Sequence, residues 1–321
     1  MSAVANWTLV LGAAKSSGGK LRAHQHALGR FEVDQSRRIS GLLKAPSIRG
    51  ETTMITSEDI EYTSALPRVK IDAHAEPRYI SARTHLAKKL GTFVALSEVE
   101  LRALESLNKR HRTFVAGRDL VHEGQSEQAA YILCSGWAFS YKLLQDGQRQ
   151  IVDFHVPGDF LGLRSVLLHV SDQGIEPITD IKVTEVHVSD LLEAFTHSPQ
   201  LALAVLWAAS RDEALVVEHL VDVGRRNAKE RTAHFLLELG ARLELVGMGS
   251  KVGYACPLSQ YLLADALGLS AVHVNRVLRQ LREAGMMTFR DGSVTFDDYD
   301  RTAEFAGFDP TYLDQIGPLL H

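Results

Sequence analysis

Cysteine is nearly missing from this chain: only Cys134 and Cys256 occur in 321 residues, far apart in sequence. That excludes a disulfide framework and a CxxC pair, and an iron–sulfur or zinc cluster would need more thiols nearby. Both thiols read as small apolar residues in a reducing cytoplasm. Long apolar runs are missing too, and none reaches the roughly 18 residues that a bilayer span needs. The opening MSAVANWTLVLGAAKSSGGK puts its first lysine after its short apolar stretch, the reverse of a secretory signal. There is no excess of positive charge. A net charge of −4 excludes a uniformly basic nucleic-acid coat and leaves only a local basic patch open. A phosphate loop is also absent: in GAAKSSGGK, Ala14 stands where the first glycine belongs and Leu21 replaces the Ser or Thr after Lys20. No catalytic constellation emerges, and no enzyme is expected.

What is present divides into four parts. Residues 1–83 read as a basic, disordered arm, because lysine and arginine up to Gly50 face only Glu32 and Asp34 and no hydrophobic period is sustained. From Thr84 to Ser198 the pattern is orderly. LSEVELRALESL holds a capping box, Ser97 with Glu100, ahead of Leu101, Leu104 and Leu107. Short β-type runs follow, punctuated by glycine, with a hairpin signal at Asp146-Gly147. Strands at this spacing predict a roll or sandwich, and a roll of this size predicts a ligand pocket between its sheets.

Residues 199–224 read as one long helix. Pro199 fits its first turn, and Gly224 is expected to end it. Leu203, Leu206, Val217 and Leu220 form one apolar face; Leu201, Val205, Leu215 and Val216 form another. Two faces require two partners, most simply the roll and the same helix of a second subunit.

Residues 225–321 begin with NAKERTAHFLLELGARL, capped by Asn227 and Glu230, and then carry two short helices around a glycine. With Gln260 as position one, Ala264 is fifth, Gly268 ninth, Val274 fifteenth and Val277 eighteenth, the residue types a helix-turn-helix requires. Ser270 caps the second helix. Its remaining face carries Val272, His273, Asn275, Arg276 and Arg279. Arg276 suits the O6 and N7 of guanine, and Asn275 or His273 a base edge or phosphate. Arg279, Arg282 and Arg290 suit phosphates, which set register without reading sequence. MMTFRDGSVTFDD closes the unit as a hairpin about Asp291-Gly292, a wing.

The order of parts from about Thr84 to Leu313 resembles the Crp/Fnr superfamily of bacterial transcription regulators. YILCSGWAFSYKLLQDGQRQIVDFHVPGDFLG is similar to its effector roll, and LADALGLSAVHVNRVLRQLREAGMM to its DNA-reading helices. The resemblance implies an α+β chain: a cyclic-nucleotide-binding-type double-stranded β-roll, a long dimerisation helix and a C-terminal winged helix-turn-helix. It further implies a homodimer on an inverted-repeat operator in double-stranded DNA, RNA polymerase as a partner, and no membrane. The effector pocket falls at Phe160, Leu161, Gly162, Leu163 and Arg164. Here the pattern departs from the cyclic-AMP receptors. Leu163 replaces the ribose-binding Glu, and no arginine lies near Ile175 to Thr179 to meet a cyclic phosphate. A buried phosphate without a cation is costly, and Arg164 stands at the wrong place in the cassette, so a cyclic nucleotide is disfavoured and no cofactor is expected. The oxygen-sensing cysteine cluster is missing. His155, His169 and His187 are haem ligands by residue type only. Val272 stands where the family carries an acid that accepts from a base amino group, and can touch only a thymine methyl.

Overall fold

A computed structural model describes residues 84–126, 129–168 and 170–313. The basic arm expected over 1–83 lies outside the described residues, as does His169. Two short helices come first. In α1 (His85–Gly91) the Thr84 hydroxyl accepts from the Ala87 amide, and α2 (Glu98–Leu107) starts from the Ser97–Glu100 capping box.

The roll runs through β1 (Arg110–Phe114), β2 (Ala130–Ser135), β3 (Ala138–Leu143), β4 (Arg149–His155), β5 (Phe160–Leu161), a short helix α3 (Leu163–Leu167), β6 (Gly174–Pro177) and β7 (Ile181–Val186). One antiparallel sheet has the order β1-β7-β2-β5, and the other β4-β3-β6. The β3–β4 hairpin turns at Asp146-Gly147, where Gly147 takes φ of +81°, open to glycine without strain. Alternation then sorts side chains: β7 buries Ile181 and Val183 and turns Lys182 outward. Leu133, Leu161, Ile175, Ile181 and Val183 meet from both sheets in one apolar cluster. Where the sequence predicts a pocket between the sheets, the described residues form packed core, because branched aliphatic side chains from both faces interdigitate there.

A helix not foreseen from the sequence, α4 (Val188–His197), leads into α5 (Pro199–Arg225). Ser198 caps α5, and the helix continues through Gly224, which was expected to stop it. One side, Leu201, Ala204, Val205, Ala208 and Leu215, packs on the roll and the N-terminal helices. The other side, Leu206, Val216, Val217, Leu220 and Val223, is exposed; Leu206 is 62 % and Leu220 72 % accessible. Val216 therefore belongs with Val217 on the outer stripe and not with Leu215, since the 3.6-residue turn carries it round.

The last unit comprises α6 (Ala228–Leu245), β8 (Gly249–Ser250), β9 (Gly253–Ala255), α7 (Gln260–Leu267), α8 (Ala271–Glu283), β10 (Met287–Arg290), β11 (Ser293–Phe296), α9 (Tyr299–Ala306) and a final 3-10 turn (Pro310–Leu313). The wing is a four-stranded sheet of order β10-β11-β9-β8, larger than the hairpin expected. Its core joins Phe235, Leu236, Leu263, Val274, Val277 and Leu281, and runs on into Trp137, Ile151 and Phe154 of the roll. The two units thus share buried hydrocarbon. Among the described residues no helix is long and apolar enough to cross a membrane.

Candidate nucleic-acid interface and its seam with the roll

The turn between α7 and α8 is set by two local features. Gly268 closes α7 at φ of +62°, a left-handed conformation disfavoured for L side chains, and the Ser270 hydroxyl accepts from the His273 amide to start α8. Ala264, Val274, Val277, Leu278 and Leu281 are all buried, as their helical spacing predicts. Burying that stripe forces the opposite face outward. Val272 is 82 % exposed, and Asn275, Arg276, Arg279 and Arg282 are exposed with it; His273 is half-buried. Arg279 has a loose i,i+4 contact to Glu283 at 3.5 Å, with both side chains open to water. Among the described residues Arg276, Arg282 and Arg290 have no side-chain hydrogen bond or ion pair. The wing turns at Asp291 and Gly292, both at positive φ (+52° and +72°), which brings Arg290 beside α8.

Between helix and wing lies a groove of about 390 Å³ lined by Ser259, Gln260, Asn275, Arg279, Arg282 and Arg290, among others. The sequence reading used Ser259 only as a cap and Gln260 only as the first position of the helix-turn-helix, and gave neither a place in this groove. The available signal was the N-terminus of α7 itself, whose free amides suit a phosphate.

The residues expected to form an effector pocket lie in different surroundings. Phe160 packs outward among α1, α4 and α5, and Leu161 inward among the roll aliphatics. Gly162 caps α3 at φ of +67°, Leu163 is half-buried, and Arg164 is exposed and ion-paired to Asp172. A cavity of about 590 Å³ lies instead on the outer face of β1-β7-β2, between Thr84, Asn108, His111, Arg112, Cys134 and Lys182. Cys134 is half-buried there, its sulfur 3.4 Å from Thr184 Oγ1, while burial pushes the Cys256 thiol up to about 12. His155 Nδ1 sits 3.6 Å from Asp153, and His187 caps α4. Among the described residues no group of three or more His, Cys, Asp or Glu side chains could hold a metal.

A polar seam joins roll and reading unit. Arg242 of α6 donates to Asp153 (2.7 and 3.3 Å), Asp159 (3.1 Å) and the Phe154 carbonyl (2.8 Å), and Lys89 donates to Asp159 at 2.7 Å. Burial alone would raise these carboxyls, but Lys89 and Arg242 around Asp159, and Arg242 and His155 around Asp153, hold both below the usual carboxylate range. Arg149 of β4 donates to Asp265 of α7 at 2.9 Å, and Gln150 to the Ala266 carbonyl at 3.0 Å. At the α5–α6 joint Glu238 takes His219 Nε2 at 2.9 Å and the Tyr312 hydroxyl at 2.7 Å. The first helix of the reading unit is thus tied directly to a roll strand.

An aliphatic roll, a long helix with one uncovered apolar side and an arginine-bearing helix beside a wing define a class: a DNA-binding regulator with a sensor-type module. Residues 111–198 match the model of the cyclic nucleotide-binding domain, and residues 230–304 that of the Crp-like helix-turn-helix domain. The chain is 32% identical over 213 residues to the nitrogen fixation regulation protein FixK of Bradyrhizobium diazoefficiens, covering 66% of this chain and 88% of that protein. It is 23% identical over 212 residues to the fumarate and nitrate reduction regulatory protein of Escherichia coli K12, covering 66% and 84%. The structure of FixK2 from Bradyrhizobium japonicum superposes with a TM-score of 0.55 at 30% identity, over 61% of this chain and 96% of that one. The chain belongs to the Crp/Fnr family of transcription regulators. It is a DNA-binding regulator and not an enzyme.

Proposed function

We propose that the protein acts as a homodimer that seats one α8 in the major groove of each half of an inverted-repeat operator. The observation that carries this reading is the outer face of α8, where Arg276 and Asn275 are exposed and Arg276 has no partner among the described residues. Arg276 reads guanine, Val272 touches a thymine methyl, and Asn275 and His273 contact a base edge or phosphate. Arg279, Arg282 and Arg290, with Ser270 at the helix N-terminus, hold the backbone. The outer stripe of α5 supports the dimer, because the exposed Leu206, Glu213, Val216, Leu220 and Val223, with half-buried Ala209 between the first two, alternate steps of three and four, the spacing of a two-helix seam. RNA polymerase is the partner on which such a regulator acts.

The roll serves without a cyclic nucleotide. Arg164 is committed to Asp172 and the sheet interior is aliphatic, so a buried cyclic phosphate would meet no free cation there. Selection of bound duplex from a random pool, followed by sequencing, tests the reading. The expected result is a palindrome with half-sites about one helical turn apart. Enrichment of single, unrepeated sites, or no enrichment, would overturn it.

A further inference from the structure

The cavity of about 590 Å³ outside the roll is used neither by the reading helix nor by the seam. Its floor follows from strand alternation. The pairs His111↔Thr184 and Thr113↔Lys182 of β1 and β7 share one face of the sheet, and Ile132 and Cys134 of β2 share it with them. Its roof is the start of α1, Thr84 to Leu86, with Leu104 and Asn108 at the end of α2. Roof and floor are pinned together. The buried Thr184 hydroxyl donates to the Asn108 side-chain oxygen at 2.6 Å, and His111 Nδ1 and the Cys134 sulfur lie 3.3 and 3.4 Å from the same hydroxyl. The volume falls inside the range of about 300–1,000 Å³ usual for small-molecule sites.

The wall has two chemical sides. Leu86, Leu104 and Ile132 make one of them aliphatic, with no aromatic ring among the described lining residues. On the other side the charge is positive. Arg112 is out of phase with the floor and paired to Glu185 at 2.7 Å, whereas the exposed Lys182 stands in phase with it. Burial and the neighbouring Lys88 lower the pKa of His85, so this imidazole offers a hydrogen bond and not a charge. Asn108 has its oxygen taken by Thr184 and its amide N–H groups left as donors. Among the described residues no Asp or Glu lines the cavity. We propose that it binds a medium-chain aliphatic carboxylate, the head group received by Lys182 and Asn108 and the chain laid along Leu86, Leu104 and Ile132. A carboxylate accepts several N–H donors in charge-assisted bonds, and an unbranched chain gains by burial against aliphatic side chains without a ring to stack on.

The same aliphatic side chains reach the long helix. Leu86, Leu104 and Ile132 pack in one cluster with Leu201, Val205 and Ala208 of α5. A ligand laid against them that favours one seating of α5 over another shifts the population toward it. The effect on DNA rests on the function proposed above; the binding itself does not.

Calorimetry of the full chain with octanoate, butanoate and neutral octanamide is the first arm of the test. Octanoate should saturate one site per chain. Butanoate, which lacks four of its methylenes, should bind roughly 100-fold more weakly, and octanamide roughly 10-fold or more. Lys182 is exposed, so Lys182→Gln should keep the Tm of the natural chain while losing octanoate affinity by roughly 10-fold or more. Alkylation then places the site. Cys256 is buried and Cys134 half-buried at the cavity floor, so iodoacetamide should react at Cys134, and saturating octanoate should slow that reaction, read by mass spectrometry. Any of four results would overturn the proposal. Octanoate does not bind at millimolar concentration; butanoate or octanamide binds as well; Lys182→Gln binds undiminished; or Cys134 is not protected, a thiol that never reacts counting the same because the cavity is then closed to solutes. Octanoate bound in the cavity with operator affinity unchanged would keep the site and sink its link to DNA.

Discussion

Arg242 and Arg276 carry the same guanidinium in the same unit under opposite conditions. Arg242 is buried against the roll and answered by Asp153, Asp159 and the Phe154 carbonyl, whereas Arg276 is exposed on α8 and has no partner among the described residues. At the seam a charge is tolerated because opposite charge and acceptors surround it, so taking one member away strands the others. At the groove water does the solvating, so taking the arginine away costs the fold almost nothing and only a bound duplex registers the loss. Residue type alone does not separate the two roles; burial and partners do.

The largest effect should come from the seam. Arg242→Met leaves Asp153 and Asp159 buried with a partner missing and should lower unfolding free energy by roughly 3–5 kcal/mol, read from urea transitions. A loss close to zero would mean that the seam is solvated and that the contrast with Arg276 is false.

The long helix gives the next effect. Leu220→Glu removes an apolar side chain that is already exposed in one chain, so melting of the isolated subunit should hardly move. Each copy withdraws a side chain whose burial contributes about 1.5–3 kcal/mol, so a dimer should weaken by roughly 100-fold or more in sedimentation equilibrium. Unchanged association would place the seam of the dimer elsewhere.

A smaller, reversible change belongs to the α5–α6 joint. Burial alone would lower the pKa of His219, but the hydrogen bond and charge of Glu238 outweigh it and raise the imidazole to about 9. A raised folded value favours the protonated, folded form. The contribution is complete below the ordinary histidine value of 6.5 and disappears as pH climbs through about 9. His219→Gln should flatten this part of the stability–pH curve. The same slope in both proteins would show that another group titrates there.

Much of the reading unit was legible because its signals are local. Ser259, Gly268 and Ser270 bound the two helices through caps and a left-handed turn, and the Val274–Leu281 stripe has a plain helical period. The Asp146-Gly147 and Asp291-Gly292 turns were legible for the same reason. Distant partners were not. Nothing near Arg242 in sequence announces Asp153 and Asp159, and nothing near Arg149 announces Asp265; these pairs exist only once α6 and α7 lean on β4. The pocket expected at Phe160 to Arg164 came from a family pattern; of these residues Leu161 packs into the roll, Phe160 packs outward and Arg164 pairs with Asp172. Helix α4 was hidden because VSDLLEAFTH follows directly on a strand with no glycine or proline between them.

The central claim is that α8 reads bases through Arg276 while its neighbours hold the backbone. The most direct check is binding of the natural chain and of Arg276→Ala to a selected operator and to a scrambled duplex at one salt concentration. The account predicts that the substitution weakens operator binding by about 1–3 kcal/mol per contact and leaves the scrambled duplex nearly unchanged. Equal losses on both duplexes would contradict it, because Arg276 would then be one more phosphate anchor.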